Sequence, residues 1–378
     1  MAILFRFAHN EYFLSGQFLS DLRLGVNPLL VDPKWEGTNL QKQLERNPLP
    51  ENFKGAETNS FYLATSGSSG LPKLVHKNLA LIESEVESWL HWPGLKDHFP
   101  GPAVSVRVPF CHLYGLIWGF FLPRALGKSI VFHDGSDTAI TTAYSLQSDL
   151  RKSLPPAPVN IVSGMKFPTA LSRKLRSDHP GAKVLEIYGS TETGAMAQRD
   201  PLRQNRFQSF TSVTFQTEPS VQDESEGLET ELLVKSPFIS EFCFSLDKTN
   251  IWRKENLKNM DGFFQTNDMG NLTENGWYHL GRKDRIVKIK GKRVSLDSVQ
   301  SEIDSLDLEF PVLVFVYESE NGDQIAIAAE KNQTNETNLL EKLRFVLPES
   351  HIPKKFLWVE KFPLLPNGKP DYKRLANI

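Results

Sequence analysis

Cysteine is scarce in this sequence: two residues in 378, Cys111 and Cys243, far apart and without metal-ligand spacing. That usage indicates neither a disulfide framework nor a zinc site, and a reducing cytoplasm is the expected location. An excess of either charge is also lacking. Lys plus Arg number 43 against 45 for Asp plus Glu, a net charge of -2, so no overall field draws the chain to nucleic acid or an anionic membrane. No run approaches the roughly 20 apolar residues of a membrane helix, and the apolar stretch before Arg6 is too short for a signal-peptide core. The sequence has no internal repeat and no long low-complexity tract. These absences point away from export, membrane insertion and nucleic-acid binding.

What is present suits an ordinary globular protein, since 40% hydrophobic and 11% aromatic residues can supply a sizeable core. From Phe61 onward short β-like runs such as AVSVRVP, VNIVSG and KVLEIYG alternate with helical ones such as TTAYSLQSDLRK and TALSRKLRSD. This alternation predicts an α/β fold with much parallel pairing. After Asn78 the spacing of Leu79, Ile82, Val86 and Trp89 predicts a helix with one buried face, and Glu83, Glu85 and Glu87 fall on the wet side. Between about 210 and 275 the pattern turns to short β-rich segments, and the acidic stretch EPSVQDESEGLETE within it reads as a solvated loop. Residues beyond Asp284 read as a small α+β series of their own, so the expected domains are 1–284 and 285–378. The first 60 residues, with LVDPKW and NPLPENFKG, read as loops bounding short elements and carry no assigned role.

Four segments hold chemistry. In FYLATSGSSGLPKLVHK, Thr65, Ser66, Ser68 and Ser69 bring hydroxyls while Gly67 and Gly70 allow turns that aim successive N–H groups at one anion. Lys73 adds a mobile charge, and a helix is expected soon after. This is no Walker A loop, because Pro72 separates the glycines from Lys73 and no Ser or Thr follows the lysine. A phosphate loop and a flexible connection both remain open on these residues alone. In KVLEIYGSTETG an apolar strand runs into a polar turn with Tyr188, Gly189, Thr191 and Glu192, at the strand end where open α/β sheets bind ligands. Tyr188 could face a base, Thr191 a phosphate, and Glu192 a Mg²⁺ through a hard oxygen; a polar turn with a core tyrosine is the plain alternative. In QTNDMGNLTENGWYHLGRKDRIVKIKGKRV, Asp268 could accept from two ribose hydroxyls and Arg282 could bind a nucleotide oxygen. The cations that crowd after Gly281 read as a solvated strand pair, a nonspecific nucleic-acid patch, or a strip for a multiply phosphorylated ligand. Near the C-terminus PNGK offers a Gly-Lys turn.

In this order and with these gaps, the segments resemble the adenylate-forming superfamily, which includes acyl-CoA and aryl-CoA synthetases. The resemblance covers the chain from about Phe61 to the end. It implies a large N-terminal adenylate-forming domain with layered α/β sheets and a β-rich subdomain, plus a small mobile C-terminal α+β domain. TSGSSGLPK is similar to the family's phosphate loop. In YGSTE, Tyr188 would stack on adenine, Thr191 would touch the α-phosphate, and Glu192 would hold Mg²⁺ together with Thr65. PFCHLYG is similar to the aromatic motif before the acyl pocket, with His112 at its characteristic position; without that alignment His112 reads as a core histidine. SGMKFP resembles the segment whose backbone lines the adenine edge, here Ser163, Gly164 and Met165. TND matches the ribose-binding T-G-D pattern except that Asn267 replaces glycine. GRKDRIVKIKGKRV is similar to the hinge, with Arg282 on the nucleotide, Asp284 as pivot, and Gly291 to Arg293 along the thiol tunnel. Lys369 of PNGK matches the lysine that serves adenylation. Only 64 residues precede Thr65, fewer than the family usually has, so a shortened N-terminal subdomain is expected.

The resemblance implies an ATP-dependent acid–thiol ligase. A carboxylate would attack the α-phosphorus of ATP and release pyrophosphate, and a thiol would then attack the mixed anhydride. The specific expectation is an o-succinylbenzoate–CoA ligase of menaquinone biosynthesis, whose second carboxylate would want His112, Lys166 or Arg107 in the pocket. Other aryl- or fatty-acid ligases and a ligase loading an acyl carrier protein are the alternatives within the family. A nonenzymatic nucleotide-binding regulatory protein is the alternative of another class.

Overall fold

The structure is a computed structural model, and it describes all residues except 1–2, 48, 50–58, 67–70, 134, 165, 218–229, 275, 290, 307, 309, 321, 331–335 and 364–369. The described chain divides into two compact units, one comprising 1–166, 179–215 and 233–265, the other 167–178, 216–232 and 266–378.

Two sheets organise the first unit. The larger has seven strands in the order Gln208–Ser209, Gly194–Arg199, Lys183–Ser190, Val159–Val162, Thr138–Thr141, Ala103–Val106, Ser129–Val131. From Lys183–Ser190 to Ser129–Val131 the pairing is parallel, and it turns antiparallel at Gly194–Arg199 and Gln208–Ser209. The expected α/β class with much parallel pairing is what these strands form. Their β-branched runs are buried: all four positions of Val159–Val162 and all four of Thr138–Thr141 lie inside. The second sheet has six strands, ordered Ile3–Phe7, Asn27–Val31, Ser60–Ser66, Pro72–Asn78, Phe242–Leu246, Trp252–Asn256. The start of the sequence, read as loops bounding short elements, therefore supplies the edge strand Ile3–Phe7 and its parallel neighbour Asn27–Val31, and Phe13 and Phe18 between them in sequence are fully buried.

The phosphate-loop segment differs from its expected context. A strand, Pro72–Asn78, comes directly after it and pairs antiparallel with Ser60–Ser66, so that Thr65 faces Lys73 across the ladder. The helix expected after Asn78 begins at Leu79, where the Asn78 side chain accepts the Leu81 N–H at 2.9 Å and caps it. On that helix Ile82, Val86 and Trp89 are buried as the spacing predicts. Glu85 is a correction: expected on the wet face, it is 2% exposed, because a second element packs over that side of the helix and supplies it with a hydrogen-bond donor. A core of Phe61, Leu63, Ile82, Trp89, Trp118, Ile140 and Leu185 joins helix and sheets.

In the second unit lie most residues of a four-stranded sheet ordered Thr214–Thr217, Thr230–Lys235, Phe264–Thr273, Gly276–Arg282, the β-rich region expected from the pattern. The hairpin Ile286–Ile289 with Lys292–Ser295 is next in the chain, and then a sheet of Val312–Ser319, Gly322–Glu330 and Lys355–Val359. Val299 and Ile303 of the helix Leu296–Asp304 and Leu339 and Leu343 of Glu336–Val346 pack with Val314 and Ile327 of that sheet. Among the described residues, no helix is long and apolar enough to cross a membrane.

Candidate nucleotide site

Within the first unit the carboxyl ends of neighbouring parallel strands bring several expected residues together. Ser163 and Gly164 follow Val159–Val162, and the Ser163 hydroxyl donates to the Ile187 carbonyl at 2.9 Å on the adjacent strand. That strand, Lys183–Ser190, carries Tyr188 and Gly189 and leads into the turn with Thr191 and Glu192. Gly189 is required there, since a Cβ would lie 2.3 Å from the Gly194 carbonyl oxygen. The turn is tied by its own hydroxyls: the Ser190 N–H donates to Thr193 Oγ1 at 3.1 Å and the Thr193 N–H to Ser190 Oγ at 3.3 Å. Tyr188 packs against Phe207, ring centroids 5.5 Å apart. Behind Phe207 lies the Arg199 guanidinium, 4.4 Å from its ring and paired with the buried Glu186 at 2.6 Å.

Lys73 reaches this turn from the other sheet, its Nζ 2.7 Å from Glu192 Oε1. Two motifs 119 residues apart in sequence thus meet in one charge-assisted hydrogen bond. Burial acts to raise the Glu192 pKa, but the charge and hydrogen bond of Lys73 outweigh it and hold the carboxyl below its usual value. Burial acts to lower the Lys73 pKa, and Glu192 likewise reverses the effect, so the ammonium is favoured. Thr65 Oγ1 donates to the Lys73 carbonyl at 3.4 Å. A carboxylate and a hydroxyl are hard oxygen donors of the kind Mg²⁺ takes, so Glu192 and Thr65 fit the expected metal, with Lys73 as the charge a metal would replace. Gly67, Ser68, Ser69, Gly70 and Met165 lie outside the described residues, as does Lys369, and of Ser66 only the backbone is described.

His112 is half-buried and its Nε2 stands 2.9 Å from Asp32 Oδ2. Asp32, at the end of Asn27–Val31, is 2% exposed and also accepts the Lys34 N–H at 2.9 Å. Burial pushes its pKa up, yet the hydrogen bond and charge of His112 more than offset this and lower it. One ligating atom each from Asp32, Cys111 and His112 lies within 4.8 Å of the others, a cluster that the cysteine spacing did not suggest. Burial favours the neutral Cys111 thiol strongly, while a metal needs the thiolate, and the Asp32–His112 contact accounts for the other two. Arg107, a candidate for a second substrate carboxylate, is ion-paired with Asp149.

The second unit gathers another set. On Phe264–Thr273 the Asp268 carboxylate is flanked by His279 Nε2 at 3.6 Å and Arg282 Nη1 at 3.5 Å, both from the paired strand Gly276–Arg282. The Thr266 hydroxyl accepts the Asp268 N–H at 3.0 Å. Asn267 has φ +59°, the left-handed region that asparagine enters more readily than other side chains, which explains how it serves where the family pattern has glycine. Asp284 lies beside Arg282, at 3.2 Å from its Nε. Gly291, φ +85°, turns the hairpin on which Arg293 stands opposite Lys288. Of the crowded cations, Lys283 pairs with Glu231 and Arg285 with Asp297. Asp32 and His279, beside His112 and Asp268, are residues that sequence reasoning did not single out.

No family model matches the chain. The D-alanine–D-alanyl carrier protein ligase of Staphylococcus aureus is 26% identical over 225 residues, covering 57% of this chain and 46% of that protein. The chain thus spans less than half the length of the curated relatives it matches. The o-succinylbenzoate coenzyme A synthetase of Bacillus subtilis in complex with AMP superposes with TM-score 0.76 at 18% identity, over 100% of this chain and 88% of that one. The ATP-bound MatB of Rhodopseudomonas palustris gives 0.67 at 18% identity, over 99% and 78%. The chain thus shares its fold along its whole length with these synthetases, and more than half of it is similar in sequence to the carrier protein ligase.

Proposed function

We propose that the chain is an AMP-forming acid–thiol ligase. The observation that carries this reading is the Lys73–Glu192 contact at 2.7 Å, which puts the phosphate-loop strand and the Thr191–Glu192 turn in one place. A carboxylate oxygen attacks the α-phosphorus of ATP and the bond to pyrophosphate breaks, leaving an acyl-adenylate. A thiolate then attacks the acyl carbon and AMP departs. Tyr188, backed by Phe207, takes the adenine face, and the backbone of Ser163 to Met165 its edge. Asp268 takes the ribose hydroxyls, with Arg282 on a nucleotide oxygen. The loop from Thr65 to Gly70, with Lys73, holds the phosphates that leave. Held by Glu192 and Thr65, Mg²⁺ would supply positive charge to the phosphate oxygens. Lys369 serves adenylation from the mobile part 285–378, Asp284 is the pivot, and Gly291 and Arg293 line the path of the thiol.

The acid we favour is o-succinylbenzoate and the thiol coenzyme A, which places the chain in menaquinone biosynthesis in the cytoplasm. We assign the second carboxylate to His112, whose partner is the buried Asp32, in preference to Arg107, which is ion-paired. The similarity to carrier protein ligases supports a carrier-protein thiol as the alternative acceptor. Carboxylate-dependent exchange of radiolabelled pyrophosphate into ATP, screened over o-succinylbenzoate, aryl acids, fatty acids and D-alanine, tests the reading. Exchange with one acid, and then thioester formation with coenzyme A, is the expected result. ATP binding without exchange for any acid would favour the nonenzymatic nucleotide-binding alternative.

A further inference from the structure

Lys77 and Glu85 are almost fully buried, at 1% and 2% exposure, in a first unit whose fold would be filled as well by an apolar pair. Side chains two apart on a strand share a face, so Lys77, four residues beyond Lys73, points the same way. Lys73 holds the side chain of Glu192, and Lys77 holds its main chain: Lys77 Nζ donates to the Glu192 carbonyl at 3.4 Å and to the Phe238 carbonyl at 3.2 Å. The Glu192 carbonyl also accepts the Ser240 N–H at 2.9 Å. On the far side of the turn, Glu85 Oε1 accepts the Ala195 N–H at 2.9 Å, beside a break in register of the ladder at Ala195. Its other oxygen lies against Gly194, φ +71°, where a Cβ would come within 2.2 Å of it. Burial acts against charge on both groups and their mutual attraction acts for it.

We propose that Lys77 and Glu85 are positioning residues which clasp the turn before and after Thr191 and Glu192, and so fix where the Glu192 carboxylate presents itself to a nucleotide-bound metal. The proposal rests on the reading of Glu192 as the metal ligand. Neither residue touches substrate; each acts through the main chain of the turn. Partners of this outer kind typically change metal affinity about 10- to 100-fold.

The test measures Mn²⁺ binding by electron paramagnetic resonance in the presence of ATP, on the full chain, with the melting temperature of each variant recorded. Glu85→Gln keeps an oxygen for the Ala195 N–H but loses the charge, whereas Glu85→Asp keeps the charge and withdraws the oxygen. Positioning predicts Mn²⁺ affinity near wild type for Glu85→Gln and about tenfold weaker for Glu85→Asp. A merely structural charge pair predicts the reverse order. The double variant Lys77→Met with Glu85→Gln, which removes both charges and keeps the Ala195 contact, is expected about tenfold weaker while still folded. Wild-type affinity in both Glu85→Asp and the double variant overturns the proposal. Glu192→Gln is the control: if it too binds Mn²⁺ as wild type, the reading of Glu192 as ligand is what fails.

Discussion

Replacing Lys73 by methionine separates its contact with Glu192 from the phosphate-binding role proposed for it. Its Nζ is 2.7 Å from Glu192 Oε1, with the two side chains 23% and 16% exposed. A charged hydrogen bond of this kind contributes roughly 1.5–3 kcal/mol. Lys73→Met should therefore destabilise the free protein by about 2 kcal/mol, a fall of about 4–8 °C in melting temperature for a unit of this size. The same amount is what a metal must overcome to take Glu192 from the lysine. Once the lysine is gone, Mn²⁺ binding without nucleotide should tighten by up to about 30-fold, since ~1.4 kcal/mol is a factor of ten. With ATP present the sign should reverse, because the variant lacks the proposed phosphate partner, and the KM for ATP should rise. Calorimetric titration of Mn²⁺ with and without ATP, beside thermal melts, reads all three effects. If Lys73→Met melted with the wild type and bound Mn²⁺ alone no better, the competition between lysine and metal for Glu192 would be refuted.

Four further outcomes are expected. Lys369→Ala should lower acyl-adenylate formation by about 10²–10³, the value of one preorganised donor, while a supplied adenylate still reacts with thiol; Asp284→Pro should do the opposite, sparing pyrophosphate release and slowing thioester formation, as single-turnover assays of each half-reaction would show. Arg199→Met removes the guanidinium that stands 2.6 Å from the buried Glu186 carboxylate and should cost about 3–5 kcal/mol in chemical denaturation, with weaker ATP binding through Phe207 and Tyr188; adding Glu186→Leu should recover the stability. Asp32→Asn should flatten the acid limb of the stability curve: the folded pKa of Asp32 lies below its ordinary 3.8, so its contribution is present above that value and is lost as pH falls through the lower one, and urea midpoints measured below about pH 4 should diverge least from neutral values in the variant.

Much of the fold was legible where local pattern and tertiary role coincide. The strands Val159–Val162 and Lys183–Ser190 announce themselves as β-branched runs because both faces are covered. The helices Ala143–Arg151 and Leu296–Asp304 do so through the spacing of their buried residues. What failed was context. Pro72–Asn78 carries a proline, two lysines and a histidine, so it does not read as a strand, yet it lies third in from an edge of a six-stranded sheet; Pro72, at its first position, pairs opposite Ser66. The early segments failed for a related reason: LVDPKW reads as a loop because the short strand before it is completed by hydrogen bonds to a strand about thirty residues later.

The site shows the same division between contiguous and dispersed information. Residues that would touch ligand sit in short motifs, because a turn at a strand end places neighbours in sequence around one point in space; Thr65 and Lys73, or Tyr188, Thr191 and Glu192, can be found by reading along the chain. Residues that hold those turns have no such signature. Glu85 reaches Ala195 across 110 positions, Lys77 reaches the Glu192 carbonyl across 115, and His112 meets Asp32 across 80. A charged residue in a helix or strand defaults to the solvent side, and only a main-chain donor or acceptor arriving from elsewhere makes its burial tolerable. The burial of Lys77 and Glu85 is therefore itself the signal: the local pattern does not show it, and each is satisfied by the backbone of the turn that carries Glu192. The proposed clasp makes the placing of that carboxylate depend on two residues with no contact to ligand, which is why substitutions at 77 and 85 are expected to alter metal affinity with the ligand itself intact.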